Sequence, residues 1–230
     1  MRVRVRFFAA HRERVGTDRL EVDLGANATV DDLVRDVVAR FPALDPVIGS
    51  ARFAVNREYA PATTSLRDGD EVAVIPPVAG GEDDMMSTGM TAGIGPHFQV
   101  IDRPIVADDV IRRVEDPGNG AVCVFYGVVR DHALSGRQTR FLEYEAFQDM
   151  AEAKMAEIAA EVRQRWGIER VAMTHRVGRL GIGEASVVIA VGTPHRKQAF
   201  EACEYAIDRL KAEVPIWKKE VGPDGEVWVE

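Results

Sequence analysis

The amino-acid sequence predicts an α+β fold in two domains, and three observations lead to this prediction. Strand and helix patterns are mixed without the strict alternation of a parallel α/β fold. A length of 230 residues suits one large domain or two small ones. Two regions of regular hydrophobic pattern are separated by the acidic and glycine-containing stretch "EDDMMSTGMTAGIGP". We therefore predict a domain at 1–81, a flexible linker at 82–96 and a second domain at 97–230.

The first domain is predicted to be one mixed sheet with a helix across one face. Val3, Val5 and Phe7 alternate with arginines, which is the pattern of a half-buried strand, and this pattern returns in "RLEVDL" after a "VGTD" turn. We expect these two strands to form a β-hairpin. Thr29 can cap a following helix that ends at Pro42. Two further strands are predicted in "ARFAVNREYA" and "DEVAVIPPV".

The second domain is predicted to combine several strands with two long helices. The long helices are expected at about 150–166 and 195–213, and a shorter one near 108–114. Strands are expected in "HFQVIDRPIV", "GAVCVFYGVV", "TRFLEYEAF", "ERVAMTHRVG" and "ASVVIAVGTP". A closing hairpin is expected to turn at Pro223-Asp224-Gly225.

Composition and charge exclude several classes of protein. A net charge of -8 gives the chain no global attraction to nucleic acid. No apolar run approaches the roughly 18 residues of a membrane span, and the N-terminus lacks the apolar core of a signal peptide. We therefore expect a cytoplasmic protein with no membrane and no nucleic acid as a partner. Cys123 and Cys203 lie in apolar stretches without metal-ligand spacing, and we expect them to be small buried side chains.

The start of the second long helix could bind an anion. Thr193 suits the N-cap position and Pro194 the first helical position, which would place His195 and Arg196 in the first turn among unpaired backbone N–H groups. Both the helix dipole and the hydrogen bonds at such a terminus favour a phosphate. The alternative is that these basic side chains are merely solvated.

Lysine is rare in this chain, which makes its positions informative. Arginine supplies 24 of the 29 basic residues, and the five lysines are Lys154, Lys197, Lys211, Lys218 and Lys219. Lysine can be tuned to transfer a proton, whereas arginine stays charged. Ammonium groups that lie close together make one another easier to deprotonate, which would let one lysine transfer protons while another holds a phosphate. Chance clustering is the alternative, and a solvated basic helix end explains Lys211 well by itself.

Helix length bears on how these residues could share one site. Arg196 and Lys211 are fifteen residues apart on one predicted helix, a separation of roughly 22 Å. One small substrate cannot contact both in the same copy of the chain. If both serve one pocket, a second copy must complete it, which predicts a two-fold dimer.

The loop in "FYGVVRDHALSGRQTR" carries Arg130, His132 and Arg137. Basic side chains that leave a strand on a loop could reach a phosphate or could simply be solvated, and the sequence favours neither. His175 lies in an alternating strand, where a structural histidine is the favoured interpretation. The motifs of nucleotide hydrolysis, triad hydrolysis and zinc catalysis do not occur in the chain.

Two parts of the chain resemble the two subunits of molybdopterin synthase. The first domain with "LRDGDEVAVIPPVAGG" resembles the small subunit, a ubiquitin-like sulfur carrier of β-grasp fold. The second domain resembles the large subunit in three stretches: "FYGVVRDH", "HRVGRLGIGEASVVIAVGTPHRKQAFEACEYAIDRLKAEVPIWKKE" and the final "WVE". The resemblance covers nearly the whole chain apart from the linker. It implies a natural fusion of both subunits, with an α+β large-subunit domain.

The resemblance implies a sulfurtransferase of molybdenum cofactor biosynthesis. In this family a ubiquitin-activating-like adenylyltransferase activates the terminal glycine of the small subunit, and a sulfurtransferase or cysteine desulfurase supplies the sulfur of a thiocarboxylate. The tail then delivers sulfur to cyclic pyranopterin monophosphate, and two rounds form the molybdopterin dithiolene. No metal and no other cofactor is implied.

The resemblance also implies roles for particular residues. Lys211 and Lys218 are implied to be catalytic, and the sulfur-carrier tail is Gly80-Gly81, with the thiocarboxylate on Gly81. Glycine suits this tail because a chain without Cβ atoms can pass through a narrow channel. The substrate phosphate is implied to lie among basic residues, with His195 and Arg196 lent by the second copy of a homodimer. The resemblance implies Arg130, His195 and Arg196 around this phosphate, and we predict His132, Arg137 and Lys219 as further substrate-binding residues.

One feature departs from the family pattern. Gly81 is joined by an amide bond to Glu82, and an amide cannot be adenylated. We therefore expect a processing protease to cut the chain after Gly81, because exposed stretches of small and polar residues are preferred sites of cleavage. Two alternatives have different consequences. A ubiquitin-like modifier or scaffold fusion would not need the basic helix and the lysines, and a thiazole-forming sulfur-transfer enzyme would not share "PIWKKE".

Overall fold

A computed structural model of the chain describes residues 1–77, 97–133 and 136–229. The described residues fall into two compact units, an N-terminal unit of residues 1–77 and a C-terminal unit formed by the later ranges. The predicted tail, the cleavage site after Gly81 and the linker at 82–96 lie outside the described residues. None of the helices in the described ranges is both long and apolar enough to span a lipid bilayer.

The N-terminal unit is a five-stranded mixed sheet with one long helix. Its elements are β1 (Arg2–Phe7), α1 (Ala9–Val15), β2 (Arg19–Asp23), α2 (Val30–Arg40), a 3-10 turn (Pro42–Leu44), α3 (Asp45–Ile48), β3 (Arg52–Val55), β4 (Glu58–Ala60) and β5 (Glu71–Ile75). The strand order is β2-β1-β5-β3-β4, with β1 parallel to β5 and the other neighbours antiparallel. Apolar residues of α2 and of β1 share one buried core. This arrangement is the predicted β-grasp fold.

The start of α2 follows directly from its sequence. The Thr29 hydroxyl accepts a hydrogen bond from the Asp32 backbone N–H at 3.3 Å, and the Asp32 carboxylate accepts one from the Thr29 N–H at 2.8 Å. This reciprocal pair is a capping box, which satisfies two otherwise unpaired groups at the helix start. The predicted cap at Thr29 is therefore confirmed.

Two local predictions in this unit were wrong. Strands β1 and β2 do pair, but helix α1 lies between them, so they do not form a simple hairpin. The helix has only seven residues and ends at Gly16, whose φ of 81° suits glycine. The predicted single strand in "ARFAVNREYA" is the hairpin of β3 and β4, because Asn56 and Arg57 turn the chain with positive φ angles.

The C-terminal unit contains two four-stranded sheets and three helices in its described residues. Its elements are β6 (Phe98–Ile101), α4 (Ala107–Arg112), β7 (Ala121–Val128), β8 (Phe141–Ala146), α5 (Gln148–Trp166), β9 (Arg170–Arg176), β10 (Gly178–Gly181), β11 (Ala185–Thr193), α6 (Arg196–Glu213), β12 (Ile216–Gly222) and β13 (Gly225–Val229). The first sheet has the order β6-β9-β11-β7 and the second β10-β8-β12-β13. The predicted α+β class is confirmed.

Helices cover both faces of the first sheet. Residues of α5 and α6 pack with Ile189 and Val191 of β11 in the main core, whereas Val110 of α4 packs with Val188 and Ala190 on the opposite face. All nine residues of β11 are buried as a result. Helix α6 begins where β11 ends and packs back along β11 and β7. Because α6 runs back along the sheet, its direction determines which basic residues share an end of the C-terminal unit.

Candidate active site

The start of α6 carries basic residues and no acidic residue in its first turn. His195 is the N-cap residue with extended backbone, and Arg196 is the first helical residue; both side chains are exposed. The prediction that Thr193 is the N-cap was wrong. Thr193 is fully buried as the last residue of β11, and its hydroxyl donates to the His195 carbonyl at 2.9 Å. The first turn still offers unpaired N–H groups beside positive charge, which favours an anion.

The other end of α6 leads directly into the strand that carries Lys218. Lys211 is exposed in the last turn of the helix, and only Val214 and Pro215 separate the helix from β12. The Lys218 side chain is 27% exposed, and its Nζ lies 3.8 Å from Glu220 Oε1. Both lysines thus lie close to the same helix–strand junction.

Strand register places Arg130 at this same end of the unit. Val128 at the end of β7 pairs with Ala185 at the start of β11, whereas Ala121 pairs with Thr193. Arg130 is the second residue after β7, following the buried Val129, and is exposed. Eight residue steps of β11 span roughly 27 Å, so Arg130 lies far from the start of α6.

The basic residues therefore form two groups. We call Arg130, Lys211 and Lys218 the lysine end, and His195 and Arg196 the helix-start end. Fifteen steps along α6 separate the two ends by roughly 22 Å. A substrate of nucleotide size cannot contact both groups in one copy of the C-terminal unit.

Three of the predicted substrate-binding residues, Lys219, Arg137 and His132, are paired with groups other than Lys211 and Lys218. Lys219 projects from the face of β12 opposite to Lys218, where its Nζ lies 3.2 Å from Glu226 Oε1 and 4.9 Å from the centre of the Trp228 ring. Arg137 donates to the Gly225 carbonyl at 2.5 Å in the turn between β12 and β13. His132 is exposed and paired with the Asp131 carboxylate. Each of these three side chains therefore has a partner of its own, and Lys219 faces away from Lys218.

Two residues beside Lys218 were missed by the sequence analysis. Glu220 follows Lys218 by two positions, so strand alternation alone could have placed it on the same face. Tyr144 lies directly opposite Lys218 in the pairing of β8 with β12, and only the strand register reveals this. Burial raises the pKa of Tyr144, a hydrogen bond with Ser186 lowers it, and the charge of Glu220 raises it. Tyr144 is therefore a neutral phenol at neutral pH.

His175 is a structural histidine, as predicted. It is 4% exposed, its Nδ1 lies 2.9 Å from the Arg176 carbonyl oxygen, and its ring meets Tyr144 edge-on with ring centres 5.0 Å apart. Burial lowers its pKa from 6.5 to about 4. The predicted burial of the two cysteines is confirmed for Cys203, while Cys123 is partly buried; both are free thiols.

An exposed apolar stripe runs along β7, which is an edge strand of its sheet in the part of the chain that the structure describes. Every second side chain of the strand is at least one-third exposed, on the face opposite α6: Val122, Val124, Tyr126 and Val128. A continuous apolar stripe on an edge strand is typical of a surface that another chain covers.

Comparison with known proteins identifies both units. A family model described as the MoaE protein matches residues 100–213, and a model of the ThiS family matches residues 5–81. The molybdopterin synthase catalytic subunit of Halalkalibacterium halodurans is 51% identical over 132 residues, which are 57% of this chain and 84% of that protein. The catalytic subunit of Bacillus subtilis is 49% identical over 57% of this chain and 83% of that protein.

A solved structure agrees with these matches. The crystal structure of molybdopterin synthase from Staphylococcus aureus aligns with a TM-score of 0.56 and 42% identity, covering 58% of this chain and 97% of that one. The predicted resemblance to both subunits is therefore confirmed. The chain belongs to the molybdopterin synthase family, as a single polypeptide in which a ThiS-family domain precedes a MoaE-family domain.

Proposed function

We propose that the protein transfers sulfur from a thiocarboxylate on Gly81 to cyclic pyranopterin monophosphate and so forms the molybdopterin dithiolene. The observation that carries this proposal is the lysine end, where strand register and the return of α6 bring Arg130, Lys211 and Lys218 to one end of the C-terminal unit. A guanidinium and two amines at one end of the unit suit a phosphorylated substrate that must also exchange protons.

Each round of the proposed reaction exchanges one sulfur for one oxygen. The thiocarboxylate sulfur forms a bond to a carbon of the substrate while the C–O bond of that carbon breaks and its oxygen leaves as water. A water molecule then hydrolyses the thioester C–S bond to Gly81, which returns the glycine carboxylate and leaves a thiol on the substrate. The exchange consumes no oxidant and no reductant. Lys211 and Lys218 would move protons to and from the departing oxygen, and Arg130 would hold the phosphate.

A complete site in this proposal needs two copies of the chain. The helix-start end would bind the substrate phosphate, but it lies roughly 22 Å from Lys211 of the same copy. In a two-fold dimer, His195 and Arg196 of one copy could face the lysine end of the other. The apolar stripe on β7 supports such a dimer, since pairing would remove it from water.

Gly81 can carry sulfur only after the chain is cut. We propose that a protease hydrolyses the amide between Gly81 and Glu82, which gives a glycine carboxylate and a new amino terminus. An adenylyltransferase of the ubiquitin-activating type and a sulfur donor would then build the thiocarboxylate. Mass spectrometry of protein from sulfur-replete native cells should find a fragment that ends at Gly81. An intact chain with full activity in those cells would refute the cleavage step.

The lysines provide the test of the transfer step. Protein isolated with its thiocarboxylate in place is mixed with cyclic pyranopterin monophosphate, and dithiolene formation is followed in a single turnover. Lys211→Ala and Lys218→Ala should each lower the rate by about 100-fold or more, as expected for loss of an acid–base group. Lys197→Ala is the matched control, because Lys197 is also on α6 but its side chain is 85% exposed. Wild-type rates in both lysine variants would favour a scaffold without catalysis.

A further inference from the structure

The residue before Arg130 is held by the turn between β10 and β11, residues 181–184. The Val129 N–H donates to the Glu184 carbonyl at 3.0 Å, and the Val129 carbonyl accepts from the Gly183 N–H at 2.8 Å. Both backbone polar groups of Val129 are thus bonded to the same turn. The turn acts as a backbone clamp on the residue that precedes Arg130.

Further contacts fix the segment on both sides of Arg130. Val129 is 3% exposed and belongs to a small core with leucines of β8 and β10. The Asp131 carbonyl accepts from the Thr139 N–H at 2.8 Å. Arg130 is therefore an exposed side chain whose two neighbours in the chain are anchored. A guanidinium on such a backbone loses less conformational entropy when it binds a phosphate.

The shape of the clamping turn depends on the Glu184 side chain. Its Oε2 accepts from the Gly181 N–H at 2.6 Å, and the Glu184 N–H donates back to the Gly181 carbonyl at 3.1 Å. Gly183 lies between them with a φ of 83°, which glycine adopts at little cost. The carboxylate therefore closes the turn that presents the Gly183 N–H and the Glu184 carbonyl to Val129.

Arg176 at the end of β9 holds this carboxylate from another strand. Its Nη1 donates to Glu184 Oε1 at 2.9 Å and its Nη2 to the Arg179 carbonyl at 3.3 Å. Arg176 is 9% exposed, and a buried guanidinium needs an acidic partner. The Gly181 N–H and the Arg176 guanidinium both lower the pKa of Glu184, so the group stays ionised at neutral pH.

We propose that Glu184 is a positioning residue for Arg130: its carboxylate fixes the turn that clamps Val129 and so directs the Arg130 guanidinium toward the substrate phosphate. This inference rests on the proposed role of Arg130 in holding that phosphate. Glu184 acts here on binding and takes no part in the proton transfers of the lysines. Its loss should therefore lower substrate affinity and leave the rate at saturating substrate nearly unchanged.

Glu184→Gln tests the proposal, because it keeps the size of the side chain and removes the charge that Arg176 requires. Isothermal titration with cyclic pyranopterin monophosphate should show about 5- to 10-fold weaker binding, whereas the single-turnover rate at saturating substrate should stay within about 2-fold of wild type. Glu161→Gln is the matched control, since that carboxylate of α5 is also bonded to an arginine, Arg209 of α6. It should lower thermal stability and leave the affinity unchanged.

A double-mutant cycle separates positioning from a general loss of structure. Arg130→Ala alone should weaken binding by about 10-fold or more, since a charge-assisted bond to the phosphate is lost. Adding Glu184→Gln to Arg130→Ala should weaken binding by less than about 2-fold further, because the group it positions is already absent. An unchanged affinity in Glu184→Gln, or the same loss in both backgrounds, would overturn the positioning role alone. Wild-type affinity in Arg130→Ala would instead overturn the proposed function on which it rests.

A second pair of variants applies even if loss of the Glu184 charge unfolds the unit. Gly183→Ala and Gly167→Ala each place a side chain at a positive φ, 83° and 70°, where no neighbouring group lies within 4 Å of the added carbon. Backbone strain should therefore lower the stability of both variants to a similar extent. Only Gly183→Ala distorts the clamp, so it alone should bind the substrate about 5-fold or more weakly. Equal affinities of the two variants would contradict the proposal.

Discussion

Lys218 and Lys219 are neighbours in the chain, yet their side chains lie in different surroundings. Strand alternation directs Lys218 toward Glu220 and Tyr144, and Lys219 toward Glu226 and Trp228. The sequence indicated that the lysines of this region matter, because arginine supplies most of the positive charge. It could not distinguish the partners of each lysine, since these come from strands that are distant in the chain.

His175 leads to a prediction about acid stability. Its pKa is lowered to about 4 by burial, whereas an unfolded chain protonates the same ring near 6.5. The folded unit therefore binds fewer protons than the unfolded chain between these values, and its stability falls as pH decreases from 6.5 to 4. The loss from this residue should reach about 3 kcal/mol.

Tryptophan fluorescence during urea unfolding measures this effect, because all three tryptophans lie in the C-terminal unit: Trp166, Trp217 and Trp228. His175→Asn should be less stable near neutral pH but should lose less stability on acidification. His132→Gln, which changes an exposed histidine, should retain the full acid sensitivity. An equal loss of stability in His175→Asn and the wild type would contradict the assignment.

At the scale of secondary-structure elements, helix α6 sets the separation between the basic residues at its two ends. It and α2 and α5 were predictable because long apolar periodicity identifies a helix without knowledge of its neighbours. Helix α1 was missed because seven residues give too short a pattern. The cap of α6 was misplaced by two residues, because Thr193 has the composition of an N-cap but is held as the buried end of β11.

The backbone that leads into α6 packs closely against Gly120, where there is no room for a side chain. A Cβ atom at Gly120 would lie 2.4 Å from the Pro194 carbonyl oxygen, and the Gly120 N–H already donates to the Thr193 carbonyl at 2.9 Å. Gly120→Ala must therefore displace the segment that leads into His195. We expect the variant to lose about 1–3 kcal/mol of stability and to bind substrate about 10-fold more weakly.

Gly118→Ala is the control for this substitution. A Cβ atom there would approach only the Asp116 side chain, at 3.1 Å. Isothermal titration with cyclic pyranopterin monophosphate and thermal unfolding would measure both effects. Equal affinities of Gly120→Ala and Gly118→Ala would show that the start of α6 does not contact the substrate.

At the scale of the whole molecule, the chain contains two compact units that form from different parts of the sequence. Both units and their fold classes were predictable, because each has its own regular pattern and the stretch between them has none. The pairing order of the strands was not predictable, since pairing depends on packing between distant segments. That order is what places Arg130 and Lys211 at one end of the C-terminal unit.

A mixing experiment tests whether two copies share each site. Arg196→Ala and Lys211→Ala should each be nearly inactive as pure proteins. Dimers that form after the two variants are mixed and reassembled in equal amounts should recover about a quarter of wild-type activity, because half of the dimers then hold one unaltered site. Sites built within one copy would give no recovery.

The edge position of β7 also bears on where assembly of the proposed dimer would stop. If β7 of one molecule meets β7 of another across a two-fold axis, both open edges are consumed together and no surface is left for a third molecule. A head-to-tail contact would instead leave one edge free at each step and would grow into a fibre. In the proposed dimer, such a symmetric contact would therefore cover a strand of valines and a tyrosine without leading to a polymer.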